Sequence, residues 1–224
     1  MEARFPNRGE AGRYLADKLS AYAGRKDVIV LGLPRGGLPV AYEVARALKV
    51  PLDVFVVRKL GVPGFEELAL GAIASGGVRV LNQDVVNALP NAQELIESVT
   101  TKELAELQRR EANYRDGRPA PDLAGRAVIL VDDGLATGAT MRAAVVALRQ
   151  RGAAKIVVAV PVGAADTCRE LEHLADETVC AISSEWFQAV GQYYDDFSQV
   201  SDGEVSELLA RAAVERSDQQ NKIH

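Results

Sequence analysis

The block Val128–Gly152 restricts the fold more than any other part of this 224-residue chain. Its first four residues are apolar and mostly β-branched, which is typical of a strand buried on both faces. The adjacent carboxylates Asp132 and Asp133 end that strand, and a loop of small residues follows. Met141–Arg151 then has the apolar spacing of a helix, and Gly152 is placed as its left-handed stop. The block therefore predicts a helix whose N-terminus lies just beyond the carboxyl end of a strand.

The loop between this strand and helix has the composition of a phosphate site. Free backbone N–H groups and the helix dipole favour a phosphate dianion at a helix N-terminus. Small residues let the backbone come close to the anion, and threonine hydroxyls add donors. The candidate phosphate-binding residues are Ala136, Thr137, Gly138, Ala139 and Thr140.

The acidic pair narrows the choice of ligand. Carboxylates repel a phosphate, so Asp132 and Asp133 must face a part of the ligand that donates hydrogen bonds or carries positive charge. Ribose 5-phosphate offers both parts, with its phosphate in the loop and its 2- and 3-hydroxyls on the two acids. The alternative is that the acids are merely solvated at a structural turn. A Walker loop is excluded because its sequence is absent, and Gly32–Gly37 has the wrong spacing for a dinucleotide fingerprint.

Short apolar runs alternate with helical patterns along most of the chain. That alternation predicts right-handed βαβ units, and hence an α/β fold with a parallel sheet and helices on both faces. In such sheets ligands bind beyond the carboxyl ends of the strands, where the acidic pair falls. The predicted strands are Val28–Leu31, Asp53–Val57, Val128–Val131, Ile156–Val160 and Thr178–Ile182, and the predicted helices are Leu38–Leu48, Met141–Arg151 and Ala165–Leu174.

Three segments depart from the alternation. Leu68–Asn82 predicts further extended structure with a turn at its two adjacent glycines. Ala92–Tyr114 predicts a long charged helix with a mostly solvated face. Arg115–Gly125 contains prolines and glycines and predicts a loop that leads into the strand before the acidic pair.

The composition, 48% hydrophobic and 25% charged, is that of an ordinary globular domain. A formal charge of −5 argues against a nucleic-acid or membrane partner. The sequence contains neither a long apolar span nor a secretory signal, so we expect a cytoplasmic protein. Cys168 and Cys180 lack metal-ligand spacing and a disulfide framework, and we interpret both as core or near-core thiols.

The block with the acidic pair closely resembles the phosphoribosyl pyrophosphate (PRPP) motif of the type I phosphoribosyltransferases. The resemblance rests on Val128-Ile-Leu-Val-Asp-Asp-Gly-Leu-Ala-Thr-Gly-Ala-Thr140. It implies that family's fold, with a small hood formed by the chain ends. It also implies an Mg²⁺-dependent transferase of nucleotide metabolism that binds PRPP and a nucleobase-like acceptor, and it allows for a homodimer.

A second candidate anion loop, Leu33–Gly37, follows the first predicted strand and opens a helix. Arg35 adds a fixed charge suited to a diphosphate. A glycine turn before a helix can also be purely structural. The segment resembles the family's pyrophosphate loop, which often holds a cis peptide bond after its first residue, here Pro34–Arg35. The resemblance assigns Arg35, Gly36 and Gly37 to pyrophosphate binding.

Arg58 and Lys59 follow Val57 at the end of the second predicted strand. Two adjacent cations at a strand end can be a simple polar edge. The pair resembles an Arg-Lys pair of the family, where the mobile catalytic loop begins. That resemblance makes Arg58 and Lys59 candidates to neutralise departing pyrophosphate, both as binding and as catalytic residues.

The segment Glu177–Asp196 resembles the hood of the hypoxanthine-guanine phosphoribosyltransferases. The match implies that Asp195 is a carboxylate on the magnesium side. It also implies an aromatic residue that stacks on the base, and here the register leaves Trp186, Phe187 and Tyr193 as alternatives. These aromatic residues can equally close the end of the domain.

The domain organisation predicted from these matches is a single phosphoribosyltransferase-like domain over residues 1–216. Its core spans about 20–182 and its hood about 183–216, and residues 217–224 form a polar tail.

The activity implied by the resemblance is transfer of ribose 5-phosphate from PRPP to a nitrogenous base, with Asp132, Asp133, Arg58 and Lys59 as catalytic residues. The 6-oxopurine enzymes place an acid at the position of Ala136 and a lysine near Ala175, so an ordinary hypoxanthine or guanine enzyme is not expected. The alternative function is a PRPP- or nucleotide-binding regulator with little catalysis. Such relatives usually add a DNA-binding or basic RNA-binding surface, which this sequence does not show.

Overall fold

The computed structural model of the chain describes residues 4–221. Within that range the elements follow in the order α1 (Arg8–Lys18), β1 (Val28–Gly32), α2 (Gly37–Leu48), β2 (Leu52–Val54), β3 (Val57–Val62), β4 (Phe65–Ala74), β5 (Val78–Leu81), α3 (Gln83–Ala88), α4 (Ala92–Arg115), β6 (Ala127–Val131), α5 (Ala139–Gln150), β7 (Lys155–Ala164), α6 (Ala165–Glu172), β8 (Glu177–Ser184) and α7 (Asp202–Asn221).

The main sheet is parallel and has the strand order β2-β1-β6-β7-β8. Every residue of β1 and β6 is buried, which explains why both strands are apolar without alternation. The two strands are neighbours with Gly32 opposite Val131, so their carboxyl ends lie side by side. The predicted parallel α/β fold is confirmed.

Helices cover both faces of this sheet. On one face, α1 and α2 pack Leu15, Ala16 and Val44 against the strands. On the other face, α5 and α6 contribute Met141 and Leu171, among others, to a second core cluster. The two clusters remove the apolar surface of the sheet from water on both sides, which is the main stabilising contribution in folds of this type.

The second predicted strand, Asp53–Val57, is wrong in its extent. The chain breaks there into β2, an edge strand of the main sheet, and β3, which belongs to a separate antiparallel sheet of order β3-β4-β5. We call this second sheet the flap. Arg58 and Lys59 therefore lie inside a flap strand and not at the end of a main-sheet strand. The backbone N–H of Val56 donates to the buried Ser75 hydroxyl at 2.8 Å, which fixes the break between the two sheets.

The flap packs against helices that lie outside the main sheet. Leu60 and Ile73 from the flap share a buried cluster with Ile96 and Leu107 of α4. The long helix was predicted as Ala92–Tyr114, and the structure extends it by one residue. The extended segment and its glycine turn were also predicted correctly.

Three helices were not predicted from the sequence. The first is α1, which begins where the Asn7 side chain accepts a hydrogen bond from the Glu10 N–H. The others are the short α3 and the long α7, which packs Val205 and Leu209 into the cluster under the flap. Residues 202–216 of the expected hood are therefore part of α7, and residues 217–221 of the expected tail continue that helix.

The expectation for the cysteines is partly wrong. Cys168 is buried and Cys180 is half-buried, as expected, but the two form a disulfide between α6 and β8. Their spacing of 12 residues matches no disulfide framework, and only the docking of α6 beside β8 brings the two sulfurs together. No helix in the described part of the chain is long and apolar enough to cross a membrane.

Candidate active site

The acidic pair lies at the carboxyl end of β6, as predicted. The Asp133 N–H donates to Asp132 Oδ1 at 2.9 Å, so the backbone turn itself orients the first carboxylate. The Tyr194 hydroxyl donates to the backbone oxygen of Asp133 at 2.6 Å. These two bonds fix the turn from both sides.

The candidate pyrophosphate loop lies directly against the acids. A Cβ atom at Gly36 would lie 2.0 Å from Asp133 Oδ2, and one at Gly37 would lie 2.8 Å from the Val131 carbonyl oxygen. Only glycine permits this approach of loop and carboxylate. The peptide bond between Pro34 and Arg35 is cis, as the resemblance implies.

An arginine outside all the predicted motifs is paired with the second acid, Asp133. Arg8 Nε lies 2.8 Å from Asp133 Oδ2, and the side chains are only 11% and 14% exposed. Arg8 Nη1 donates to the Ser198 carbonyl oxygen at 2.8 Å, and its guanidinium lies 4.0 Å from the centroid of the Phe197 ring. No motif contains Arg8, because it reaches the site from the N-terminal helix α1, 125 residues before Asp133.

The electrostatics of the acidic pair follow from burial. Loss of hydration and the neighbouring Asp133 charge raise the pKa of Asp132 well above its usual range. Burial also raises the pKa of Asp133, although its hydrogen bond to Arg8 opposes that shift. Two carboxylates with raised pKa values are held in place mainly by backbone and by one arginine, which is a pattern typical of functional sites.

The candidate phosphate loop has the expected geometry. Gly138 has a φ of 71° and caps α5, which begins at Ala139. No side chain in the described structure caps this helix end, so its first N–H groups remain available to an anion. The Thr167 hydroxyl of α6 donates to the Ala136 carbonyl oxygen at 2.7 Å and supports the loop from behind.

The flap lies over this phosphate loop. A cleft of about 580 Å³ separates flap and α5, and it is lined by Lys59, Thr137, Thr140 and Arg142, with apolar residues of the flap. Arg58, one residue away on β3, faces α4 instead and donates to Glu103 Oε2 at 2.5 Å. The alternation of a β-strand thus separates the two cations that the sequence analysis treated as a pair.

The hood segment, residues 185–200, brings the aromatic candidates to the same end of the molecule. Trp186 is 85% exposed. Phe187 stacks on Tyr193 with ring centroids 5.4 Å apart, and Tyr193 is only 1% exposed. Val190, which no motif indicated, lies over the turn after the acidic pair, because a Cβ at Gly134 would be 2.4 Å from Val190 Cγ1.

Asp195 is the carboxylate that the family resemblance implies on the magnesium side. Its side chain is 64% exposed and lies 3.4 Å from Arg4 Nε. Residues 4–221 contain no group of three or more His, Cys, Asp or Glu side chains that could hold a metal ion.

Comparison with known proteins supplies the family. A family model described as a phosphoribosyl transferase domain matches residues 4–198. The chain belongs to the phosphoribosyl transferase family. Members of this family are pentosyltransferases, and the match covers both candidate anion loops, the acidic pair and the flap.

Relatives of this phosphoribosyl transferase domain include two curated proteins of Mycobacterium tuberculosis, from strains CDC 1551 / Oshkosh and ATCC 25618 / H37Rv. Both are named, by class alone, as candidate phosphoribosyl transferases. Each is 52% identical over 208 residues, which are 93% of this chain and 47% of the relative. The chain thus spans about half the length of these relatives.

A solved structure supports the same assignment at the level of the fold. The protein TT1426 of Thermus thermophilus is 43% identical and superposes with a TM-score of 0.82. The similarity covers 93% of this chain and 98% of that chain. The phosphoribosyl transferase fold described above is therefore shared by nearly the whole of both chains.

Proposed function

We propose that the chain transfers ribose 5-phosphate from PRPP to a nitrogenous base and releases pyrophosphate. One observation carries the proposal. Two loops suited to phosphate groups begin at the carboxyl ends of the adjacent strands β1 and β6, and the acidic pair lies between them. PRPP has the matching order of groups, with a 5-phosphate, a diol and a diphosphate on one ribose.

The acids supply electrostatic stabilisation in this mechanism. Departure of pyrophosphate leaves positive charge on the ribose ring. Asp132 and Asp133 accept the 2- and 3-hydroxyls and place negative charge beside that ring before the reaction begins. Burial raises the pKa of both carboxyls, so their ionised forms carry a cost in lost hydration.

The leaving group meets backbone donors and cations. Gly36 lies at the N-terminus of α2, where the helix dipole favours an anion, and Arg35 adds its charge. The Gly37 N–H is bonded to the Leu33 carbonyl oxygen at 3.0 Å, and this bond holds the loop in shape. Lys59 extends from the flap into the cleft beside the phosphate loop, and closure of the flap would bring it over the substrate. Arg58 can contribute only after it leaves Glu103. When bound to the diphosphate, Mg²⁺ would neutralise part of its charge, and Asp195 is the carboxylate that the family resemblance suggests for its side of the site.

The acceptor is proposed only as a class. Trp186 is the candidate aromatic residue that remains available for stacking, since Tyr193 is buried and Phe187 packs on it. Ala136 and Ala175 offer no ionisable group at the positions where 6-oxopurine enzymes are expected to carry one. A homodimer and a cytoplasmic location stay predictions from the sequence.

The decisive experiment measures pyrophosphate release from PRPP and Mg²⁺ against a panel of nucleobases. Release with any one base establishes the transfer reaction and identifies the acceptor. Binding of PRPP without release in the presence of any base would instead support the PRPP-binding regulator. Asp132→Asn is the matched negative control, because it keeps the size of the side chain and removes its charge.

A further inference from the structure

Arg8 is held more rigidly than an arginine that waits for a ligand. Nε is bound to Asp133, Nη1 to the Ser198 carbonyl oxygen, and the flat face of the guanidinium lies on Phe197. These contacts tie the first turn of α1 to both the acidic pair and the hood segment. The side chain is also mostly buried, at 11% exposed, so the contact with Asp133 is poorly screened by water.

The contact leaves one oxygen of the carboxylate for substrate. Asp133 Oδ2 is enclosed by Arg8 on one side and by Gly36 on the other. Oδ1 lies farther from Gly36, with 3.3 Å to the position that a Cβ would occupy. The ion pair therefore fixes the rotation of the carboxylate and determines which oxygen can accept a hydroxyl.

The charges around Asp133 show why a cation is needed there. Asp132 is its neighbour on the same turn, and Tyr194 from the hood segment donates to its backbone oxygen. Arg35 lines the same cavity, of about 350 Å³, together with Arg8. Among the residues in range 4–221, Arg8 is the one that forms an ion pair with either acid. Without it, two adjacent and mostly buried carboxylates would tend to share a proton.

We propose that Arg8 is a positioning residue for the transfer reaction, which keeps Asp133 as an oriented carboxylate with Oδ1 directed to a ribose hydroxyl. The inference rests on the proposed function, because it needs a ribose at the acidic pair. It gives the N-terminal helix α1, which lies outside the PRPP motif, a role in the reaction.

The test compares Arg8→Gln, which removes the charge, with Arg8→Lys, which keeps it. Arg13→Gln is the matched control, because Arg13 lies on the same helix and pairs with exposed Glu10. Each protein is titrated with ribose 5-phosphate by calorimetry from about pH 5 to about pH 9, a range wide enough for a shift of one to three pH units. Removal of the cation raises the pKa of Asp133 further, so Arg8→Gln should bind about tenfold more weakly at the acidic end.

The expected result for Arg8→Gln is an affinity for ribose 5-phosphate that recovers as the pH rises. The affinity of Arg8→Gln should recover in part as the pH rises through the new pKa of Asp133, because the carboxylate regains its charge but not its fixed orientation. Arg13→Gln should follow the wild-type curve, and Arg8→Lys should lie between Arg8→Gln and the wild type. Carbon-13 NMR of the aspartate carboxyls gives a readout without ligand, in which the Asp133 titration moves to higher pH in Arg8→Gln. A loss of affinity that is equal at every pH would overturn the inference, since it would mean that Arg8 only holds the hood segment in place. A wild-type protein that binds no ribose 5-phosphate at any pH would instead overturn the proposed function, and with it this role of Arg8.

Discussion

At the scale of single residues, two neighbours with the same charge can face quite different surroundings. Arg58 and Lys59 are adjacent in sequence, yet one is neutralised by Glu103 and the other lines the phosphate cleft. Asp132 and Asp133 are also adjacent, yet within residues 4–221 only the second is paired with an arginine. The sequence shows which groups are present, and the strand and turn geometry decide what each one faces.

The acidic pair gives the first prediction. Asp132→Asn and Asp133→Asn should fold normally and still bind free phosphate in the Ala136–Thr140 loop, but lose PRPP affinity or turnover. A charge-assisted hydrogen bond contributes about 1.5–3 kcal/mol, which corresponds to roughly ten- to a hundred-fold. Calorimetric titration with PRPP and Mg²⁺ measures the loss, with Asp17→Asn as the exposed control. Unchanged affinity together with unchanged turnover would show that the acids belong to a structural turn.

The flap cations give the second prediction. Lys59→Ala should lower turnover by roughly ten- to a hundred-fold, because its charge faces the cleft without an ion-pair partner in the described structure. It should lower turnover more than it weakens binding of ribose 5-phosphate. Arg58→Gln should have a smaller effect on turnover, since Glu103 already neutralises that arginine.

Steady-state kinetics with PRPP and the identified base provide the comparison. Arg79→Gln, on the exposed side of flap strand β5, serves as the control for a general loss of positive charge. Equal losses of affinity for ribose 5-phosphate and pyrophosphate in Lys59→Ala would contradict this role and place that lysine elsewhere.

At the scale of elements, the site is supported by α6 as well as by the two loops themselves. The Thr167 hydroxyl holds the phosphate loop, and the next residue, Cys168, ties α6 to β8 through the disulfide. The helix that supports the loop is thus fixed covalently to the edge strand of the main sheet. Such a link limits the conformations of the unfolded chain, and it also keeps α6 docked beside β8 in the folded protein.

The disulfide gives the third prediction. The double variant Cys168→Ala with Cys180→Ala should unfold at lower urea concentration, with a loss of about 2–3 kcal/mol for a bridge that closes a short loop. Wild-type protein should show the same loss after reduction, and the double variant should not respond to reductant. Alkylation of the native, unreduced protein followed by mass measurement checks the bridge directly. Two alkylated cysteines in that experiment would contradict it.

At the scale of the whole molecule, the fold places two neighbouring carboxylates in a poorly hydrated site, which has a cost in stability. Asp132 has a raised pKa, so the folded state favours its protonated form. The sign follows from linkage: the folded protein binds the proton more tightly than the unfolded chain, so this residue favours folding at low pH. That contribution is lost as the pH rises through the folded pKa.

The fourth prediction concerns the loss of stability caused by the Asp132 charge at neutral pH. Asp132→Asn should be more stable than the wild type at neutral pH, by an amount on the order of 1 kcal/mol, while it loses activity. The difference should shrink on acidification, as the wild-type carboxyl becomes protonated. Urea denaturation at several pH values measures it, with Asp17→Asn as the exposed control. A variant that is less stable than the wild type at neutral pH would show that the charge is well compensated in the fold.

The sequence by itself determined the parallel sheet, the position of the acidic pair and the position of the two candidate anion loops. These features depend on local patterns, namely apolar runs, glycines and helix starts, which can be seen within a few residues of one another. The family resemblance also implied the cis bond between Pro34 and Arg35, because loop sequence and loop geometry occur together.

Only the tertiary structure decided the break after β2, the separate faces of Arg58 and Lys59, the disulfide and the arrival of Arg8. Each of these depends on contacts between residues far apart in the chain, such as Arg8 with Asp133 and Cys168 with Cys180. A local sequence pattern does not indicate which distant segment will pack against it. These contacts form when α1, α4, α6 and the hood segment pack around the sheet. Burial of the apolar faces of these elements then determines where their polar side chains lie.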